Sequence, residues 1–442
     1  MANTHAYQLN VNYGDDVIGT LTLDSTTNLL KLSYSPQWQQ NGFAISPHLP
    51  LNNRHTPEVA YNYLDNALPE GAARKLLAEN LGVSEKNVYS QVRAIGNDLA
   101  GAVTLKPAQE SQVAGPQPVF RALEDAELIE RLDNKEEFGL LTWDDKPRLS
   151  VAGVQDKLNV FIDAAGQIGF GDGSLCSTHI LKFEKKNCPN LVLNEFFCMK
   201  LSKAIGLPTA DVTFRRFGPH PALIVKRFDR KYVSDNNKVL RRHVIDGCQA
   251  LNLSRDHKYE CNLGDSRNVQ HIRDGASLEK LFEFCRSMSS PVESTQWLIQ
   301  WQLFNLMISN YDSHGKNVSL YFDKHNARFT PAYDLVNIAM FPQFKHVLAM
   351  GDEFEPEDIH AYQLADFAET CNIDKRLLSR QLVGLADSVL GQLSGRVFIN
   401  DLKEQAYVTV EDMPYFEALR DNIFARTEYL KALAEDIPSI TV

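Results

Sequence analysis

Three segments near the start of the chain alternate apolar and polar residues: "YQLNVNY", "VIGTLTLD" and "LLKLSYS". Successive side chains of an extended backbone point to opposite faces, so the pattern predicts three half-buried strands. The period then changes. "TPEVAYNYLDNAL" opens on Thr with Pro at the first helical position, and "GAARKLLAENLG" keeps a helical period until Gly82 ends it. "KPAQESQVAGPQPV", from Lys106 to Val119, is rich in Pro, Gln and Ser and reads as a connector between subdomains.

From Leu149 the pattern changes again. "LSVAGVQDKLNVFID" holds a turn and then a strand, and "HILKFE" is a second strand with Lys182 toward its end. Between them, "GQIGFGDGS" reads as hairpin turns, because Cys176 falls where the last glycine of a Gly-rich nucleotide loop is needed. In "LVLNEFFCMKLSKAIGL", Leu193, Phe196, Phe197, Leu201, Ala204 and Ile205 line one helical face and Gly206 ends it. The strands "ADVTFRRF" and "ALIVKRFDR" bracket the turn "GPHP", completing a small mixed lobe. Farther along, helical patterns dominate. Trp297, Trp301, Phe304 and Ile308 recur at spacings of four, three and four, which predicts a buried helix leading straight into "NYDSHGKNVSLYFD".

Composition narrows the setting. A chain of 442 residues that is 44% hydrophobic and 23% charged is an ordinary globular sequence, long enough for two or three subdomains. A net charge of -11 excludes a protein coated with basic surface, so contact with nucleic acid needs a local patch. "MANTHAYQLNVNYGDD" lacks the basic and apolar regions of a signal peptide, and no run of about 18 apolar residues is present to span a membrane. Seven cysteines without a Cys-x-x-Cys pair read as small core residues in a reducing compartment. The expectation is a soluble cytoplasmic protein.

Candidate chemistry sits at Asp312, Asn317 and Asp334. Phosphoryl transfer needs a cation near the phosphates, oxygen ligands for magnesium and a group that orients the attacking hydroxyl. Lys182 on its strand can aim an ammonium at phosphates, and Glu195 on the following helix can fix its rotamer. Asp312 and Asn317 have the Asp-x-x-x-x-Asn spacing of a kinase catalytic loop, and Asp334 follows a short hairpin as a second magnesium aspartate does. Each feature also has an ordinary reading: loop caps for the acids and the amide, an edge charge for Lys182, a surface position for Glu195. Motifs of P-loop proteins and zinc peptidases are absent.

Taken in order, "LSVAGVQDKLNVF", "THILKFE", "NEFFCMKLSKAIGLP", "IVKRFDR", "NYDSHGKNVSLYFD" and "FTPAYDLV" make the chain resemble the HipA family, the serine/threonine kinase toxins of bacterial toxin–antitoxin pairs. The resemblance implies an α+β, two-lobed protein-kinase-like fold with an N-terminal strand-and-helix subdomain over residues 1–105. A small lobe over 106–229 and a helix-rich C-terminal lobe over 230–442 would follow. It makes Asp312 the catalytic aspartate and Asn317 and Asp334 the magnesium ligands, and sets Lys182 against the ATP phosphates. The flexible ATP loop would be Val151 to Lys157, including Ala152, Gly153, Val154, Gln155 and Asp156. Lys226, Arg227 and Phe228 would be the linker that holds adenine, with His314 and Lys316 completing the ATP contacts and Ser150 the site of autophosphorylation. His314 has a structural, hydrogen-bonded reading as well. Implied partners are a HipB-type helix-turn-helix antitoxin, operator DNA through the antitoxin complex, and glutamyl-tRNA synthetase as protein substrate. Two rival functions are a small-molecule phosphotransferase and a catalytically idle scaffold subunit of a repressor complex. Arg215, Arg216, Lys226, Arg227, Arg230, Lys231, Arg241 and Arg242 crowd together, as a solvated lobe surface plus the adenine linker or as a patch for DNA phosphates.

Overall fold

The computed structural model describes residues 7–107, 117–135, 139–144, 146–148, 156–264, 266–342 and 345–442. The three N-terminal alternating segments are β1 (Gln8–Tyr13), β2 (Asp16–Leu23) and β3 (Leu30–Tyr34). With β4 (Val103–Pro107) they form an antiparallel sheet in the order β3-β2-β1-β4. Their inward residues Leu9, Val11, Leu21 and Leu32 are buried in one core with residues of α1 (Pro57–Asn66), α2 (Gly71–Asn80) and α3 (Val88–Ile95). Pro57 and the left-handed Gly82 stand where the helix signals put them. The expected connector falls largely outside the described residues.

A second sheet, order β9-β10-β8-β6-β7-β5, is antiparallel throughout: β5 (Val119–Ala122), β6 (Lys157–Ile162), β7 (Ile168–Asp172), β8 (His179–Phe183), β9 (Val212–Phe217) and β10 (His220–Lys226). Here the turn reading of "GQIGFGDGS" is corrected. Ile168–Asp172 is a strand inside the sheet, and its glycines serve close packing, since a Cβ at Gly169 would lie 2.3 Å from the Arg121 carbonyl oxygen. Strand alternation sends Leu158, Val160, Leu181 and Phe183 to one face, where they pack with Trp143 and Phe170. The other face, carrying Lys157 and Lys182, meets α4 (Leu191–Ala204).

Helix α4 is buried on more than the predicted stripe. It lies between β9 and β10 on one side and α6 (Lys375–Ser394) and α7 (Met413–Leu433) on the other, so Val192, Asn194, Glu195 and Cys198 are enclosed too. Ala204, assigned to the buried face by its spacing, is exposed because the helix ends there and the left-handed Gly206 turns the chain away. The tryptophan helix is α5 (Pro291–Met307), with Trp301 and Phe304 fully buried and Trp297 stacked on Phe329 at 4.4 Å. β11 (Val244–Asp246) pairs with β12 (Ser319–Phe322), and β12 with β13 (Ala327–Phe329), in a three-stranded sheet whose last two strands follow the loop of Asp312 and Asn317. No single helix among the described residues is long and apolar enough to cross a membrane.

Candidate active site

The site begins with strand register. Lys182 on β8 stands directly opposite Lys157 on β6, so two ammonium groups share the cleft face of the sheet. Like charges placed opposite each other repel, and both are buried, so the pair requires carboxylates. Glu195 supplies one from α4, with Lys182 Nζ 2.5 Å from its Oε1. Asp334 supplies the other through a direct ion pair with Lys182. Burial alone would lower the Lys182 pKa, but Asp334 and Glu195 outweigh it and hold the ammonium above its ordinary value. Burial likewise opposes ionisation of Asp334, yet Lys182 and Lys157 keep its carboxyl well below the usual range. At Lys157, by contrast, burial prevails and lowers the pKa.

The facing wall is the loop after α5. Ser309 adopts φ 54°, turning the chain, and Asn310 Nδ2 donates to Asn305 Oδ1 (2.8 Å) and to the Asp334 carbonyl (3.3 Å). A one-turn 3-10 helix at Gly315–Asn317 then sets Asn317 beside Asp312, its Nδ2 donating to the Asp312 carbonyl at 3.2 Å. The Tyr333 hydroxyl donates to the Lys316 carbonyl at 2.7 Å, tying the segments of Asn317 and Asp334 together. Burial pushes the Asp312 carboxyl up to about 6, opposed by Lys258 and reinforced by Asp334 and Glu70. This is the range of a group that exchanges a proton near neutrality.

Lys157, Lys182, Glu195, Asp312, Asn317 and Asp334 all line one cavity of about 510 Å³, within the size range of small-molecule sites. Lys226, Arg227, Phe228, His314 and Lys316 also border it. Their side chains divide by role. His314 is held neutral, burial lowering its pKa to about 3, and its Nδ1 accepts from the Lys316 amide at 3.2 Å. That is the structural reading of this residue. The Lys316 ammonium turns under the loop to Asn66, Glu70 and Asp246. Asp156 is not brought to the cavity with the others. Alternation with Lys157 sends it the other way, and its carboxylate pairs with Lys135 at 2.9 Å. Ser150, Ala152, Gly153, Val154 and Gln155 lie outside the described residues.

The basic cluster is divided: Lys226 and Lys231 are exposed, Arg227 and Arg230 are buried, and the other arginines are partly buried. Arg227 and Arg230 are buried around Asp229, at 2.9 and 2.5 Å, and Arg230 also donates to the Leu99 and Gly101 carbonyls of the N-terminal subdomain. Arg215 pairs with Asp125, Arg216 with Asp412, and Arg242 lies over the Tyr321 ring. Sequence spacing missed the N-terminal wall of the cleft, formed by Tyr63, Asn66 and Glu70, and also Lys258 and Tyr259 beneath it. Only the unusual run of acids and amides in "YNYLDNALPEG" hints at it.

A two-lobed α+β fold with a lysine–glutamate pair above an Asp-to-Asn loop defines a kinase-like protein. Residues 149–393 match the model of the HipA-like C-terminal domain, and residues 9–106 that of the HipA N-terminal domain. The chain is 41% identical over 388 residues to the serine/threonine-protein kinase toxin HipA of Shewanella oneidensis, spanning 87% of this chain and 88% of that one. It is 31% identical over 390 residues to the Y4mE protein of Sinorhizobium fredii, spanning 86% and 89%. A solved structure of the Shewanella oneidensis HipA, HipB and operator DNA complex superposes with a TM-score of 0.89 at 38% identity, covering 98% of this chain and 100% of that one. The chain belongs to the HipA family, and with it to the serine/threonine-protein kinases.

Proposed function

We propose that this chain is the kinase toxin of a toxin–antitoxin pair, transferring the γ-phosphate of ATP to a serine or threonine of a protein. The observation that carries the reading is the convergence of Lys182, Glu195 and Asp334 with Asp312 and Asn317 on one cavity. Lys182, fixed by Glu195, contacts the phosphates. Lys226 to Phe228 border the adenine end, and the segment from Val151 to Lys157 is the ATP loop. Asp312 accepts a hydrogen bond from the acceptor hydroxyl, orients it and takes its proton as the oxygen attacks.

Asn317 and Asp334 fit a magnesium site: both offer oxygen, the preference of that hard cation, and a bridging hydrogen bond fixes their segments. Asn317 commits Nδ2 to the loop, which leaves Oδ1 as its ligand atom. Magnesium held there supplies neutralisation of phosphate charge.

On this reading the chain divides near residues 105 and 229, works in the cytoplasm and phosphorylates itself at Ser150. A phosphate at Ser150 adds about -1.5 to -2 charges beside the nucleotide loop and so switches the kinase off. The family resemblance makes a HipB-type antitoxin its partner, brings operator DNA to it through that partner, and makes glutamyl-tRNA synthetase its target.

Incubation with labelled ATP, magnesium and cell extract tests the reading. Label in protein, including glutamyl-tRNA synthetase, supports it. Label confined to small molecules points to a small-molecule phosphotransferase, and no label to an idle scaffold subunit.

A further inference from the structure

Beneath the catalytic loop lies a buried carboxylate that the transfer chemistry does not use. Glu70 belongs to the N-terminal subdomain, at the residue that opens α2, and is 6% exposed. Its two oxygens face two different lysines. Oε2 accepts from Lys258 Nζ at 2.7 Å, and Oε1 lies 3.3 Å from Lys316 Nζ. Lys316 is held further by Asp246 at 3.2 Å and by the Asn66 carbonyl at 2.6 Å. Two ammonium groups are thus balanced by two carboxylates in a closed space. Glu70 is itself set by a firm frame: Arg74, fully buried one turn along α2, pairs with Asp65 at 2.6 Å and donates to the Glu85 carbonyl at 2.9 Å.

Both lysines bear on the catalytic loop. Lys316 lies in the turn between Asp312 and Asn317, and the Lys258 carbonyl accepts from the Gly315 amide at 3.0 Å. Gly315 has no room for adjustment, since a Cβ there would meet the Ala276 Cβ at 2.6 Å. Lys258, Tyr259, Asp312 and Glu70 line the same cavity, and after Glu70 the groups acting on Lys258 are Tyr259 and then Asp312. Groups acting on Asp312 are Lys258, Asp334, Glu70 and Tyr259. With Glu70 gone, Lys258 has Asp312 as its next counter-charge, and an Asp312 held in an ion pair no longer orients a hydroxyl.

We propose that Glu70 is a positioning residue for phosphoryl transfer: from the N-terminal subdomain it holds Lys258 off Asp312 and, through Lys316, keeps the Asp312–Asn317 loop in its working shape. The N-terminal subdomain is therefore part of the catalytic apparatus and not only an attachment to it. The proposal rests on the kinase reading above.

The test compares the full-length parent, Glu70→Gln, Glu70→Asp and the double variant Glu70→Gln with Lys258→Met. Turnover of magnesium ATP onto protein is measured, together with the thermal midpoint and amide hydrogen exchange of residues 311–318 without nucleotide. Glu70→Gln should lower kcat by about tenfold to a hundredfold while KM for ATP moves less than about threefold, the pattern of a lost transition-state arrangement. Loop exchange should quicken by about tenfold with the core amides unchanged. Glu70→Asp should restore part of the activity, and removing Lys258 as well should raise kcat at least about fivefold over Glu70→Gln, because Lys258 is no longer there to capture Asp312. Turnover in Glu70→Gln within about twofold of the parent overturns the proposal, as does a folded double variant no faster than Glu70→Gln. If Glu70→Gln does not fold, the double variant decides: folding with turnover within about tenfold of the parent supports the proposal, and anything less overturns it. A folded parent without transfer defeats the kinase reading instead, and loop exchange then judges the role of Glu70 alone.

Discussion

Two buried charge clusters flank the linker between the lobes, and they are put together differently. At the linker, Arg227 and Arg230 enclose Asp229, and the Gly101 amide donates to the same carboxylate at 2.8 Å. Arginine forks have fixed directions, and here they are matched by Asp229, by Ser177 Oγ at 2.8 Å and by backbone carbonyls of the N-terminal subdomain. In the cleft, Lys157 and Lys182 are point charges that face Glu195 and Asp334 along one open side, with the Asp334 side chain 29% exposed. Ammonium groups on flexible stems change partner readily when a phosphate arrives. The first cluster clamps the lobes to the N-terminal subdomain; the second is arranged to receive charge.

If that contrast is right, the largest effect comes from breaking the clamp. Asp229→Ala leaves two buried guanidinium groups without their carboxylate and should cost about 3–5 kcal/mol of stability, read by chemical denaturation. A loss below about 1 kcal/mol would mean that the linker cluster is solvated in solution. In the cleft the same kind of change should spare the fold and remove the chemistry. Asp312→Asn should still bind nucleotide by calorimetry while transfer falls about a hundredfold or more, equivalent to about 2.7 kcal/mol in the barrier. Asp334→Asn should weaken magnesium-dependent ATP binding by about tenfold, since one anionic ligand is gone. An unchanged metal dependence would return Asp334 to the role of turn cap.

A gentler probe uses acid. Burial opposes ionisation of Glu70, but Lys316 and Lys258 outweigh it and lower its pKa from 4.5 to about 2. A folded-state pKa below the unfolded one means that the contribution is present above pH 4.5 and is lost as pH falls toward 2. Glu70→Gln should flatten the stability curve over that window, and denaturation midpoints measured at several pH values would reveal it. A variant curve that parallels the parent would show the carboxylate to be unpaired in solution.

Much of this was legible along the chain wherever one period governs one element. Alternation marked β1 to β3, and the spacing of Trp297, Trp301, Phe304 and Ile308 marked α5. Lys182, Glu195, Asp312, Asn317 and Asp334 were legible as a set because strand, helix and loop each fix one side chain's direction locally. Asp156, which the resemblance put in the ATP loop, stands just before β6 and pairs with Lys135. Tertiary partners were not legible. Nothing near Arg227 or Arg230 in sequence announces that Leu99 and Gly101 will close over them. Glu70 also stands 188 residues before the Lys258 that it binds. Ile168–Asp172 looked like turns because its glycines answer to a neighbouring strand's backbone, which local propensity does not contain.

The central claim is that the cleft cluster transfers phosphate while the linker cluster only holds the lobes. Its most direct test is phosphate transfer from magnesium ATP to protein serine or threonine, mapped by mass spectrometry for the parent and Asp312→Asn at equal nucleotide occupancy. The account predicts phosphorylated serine or threonine with the parent and at least about a hundredfold less with Asp312→Asn. Equal transfer by the two proteins, or none by a folded and nucleotide-bound parent, would contradict it.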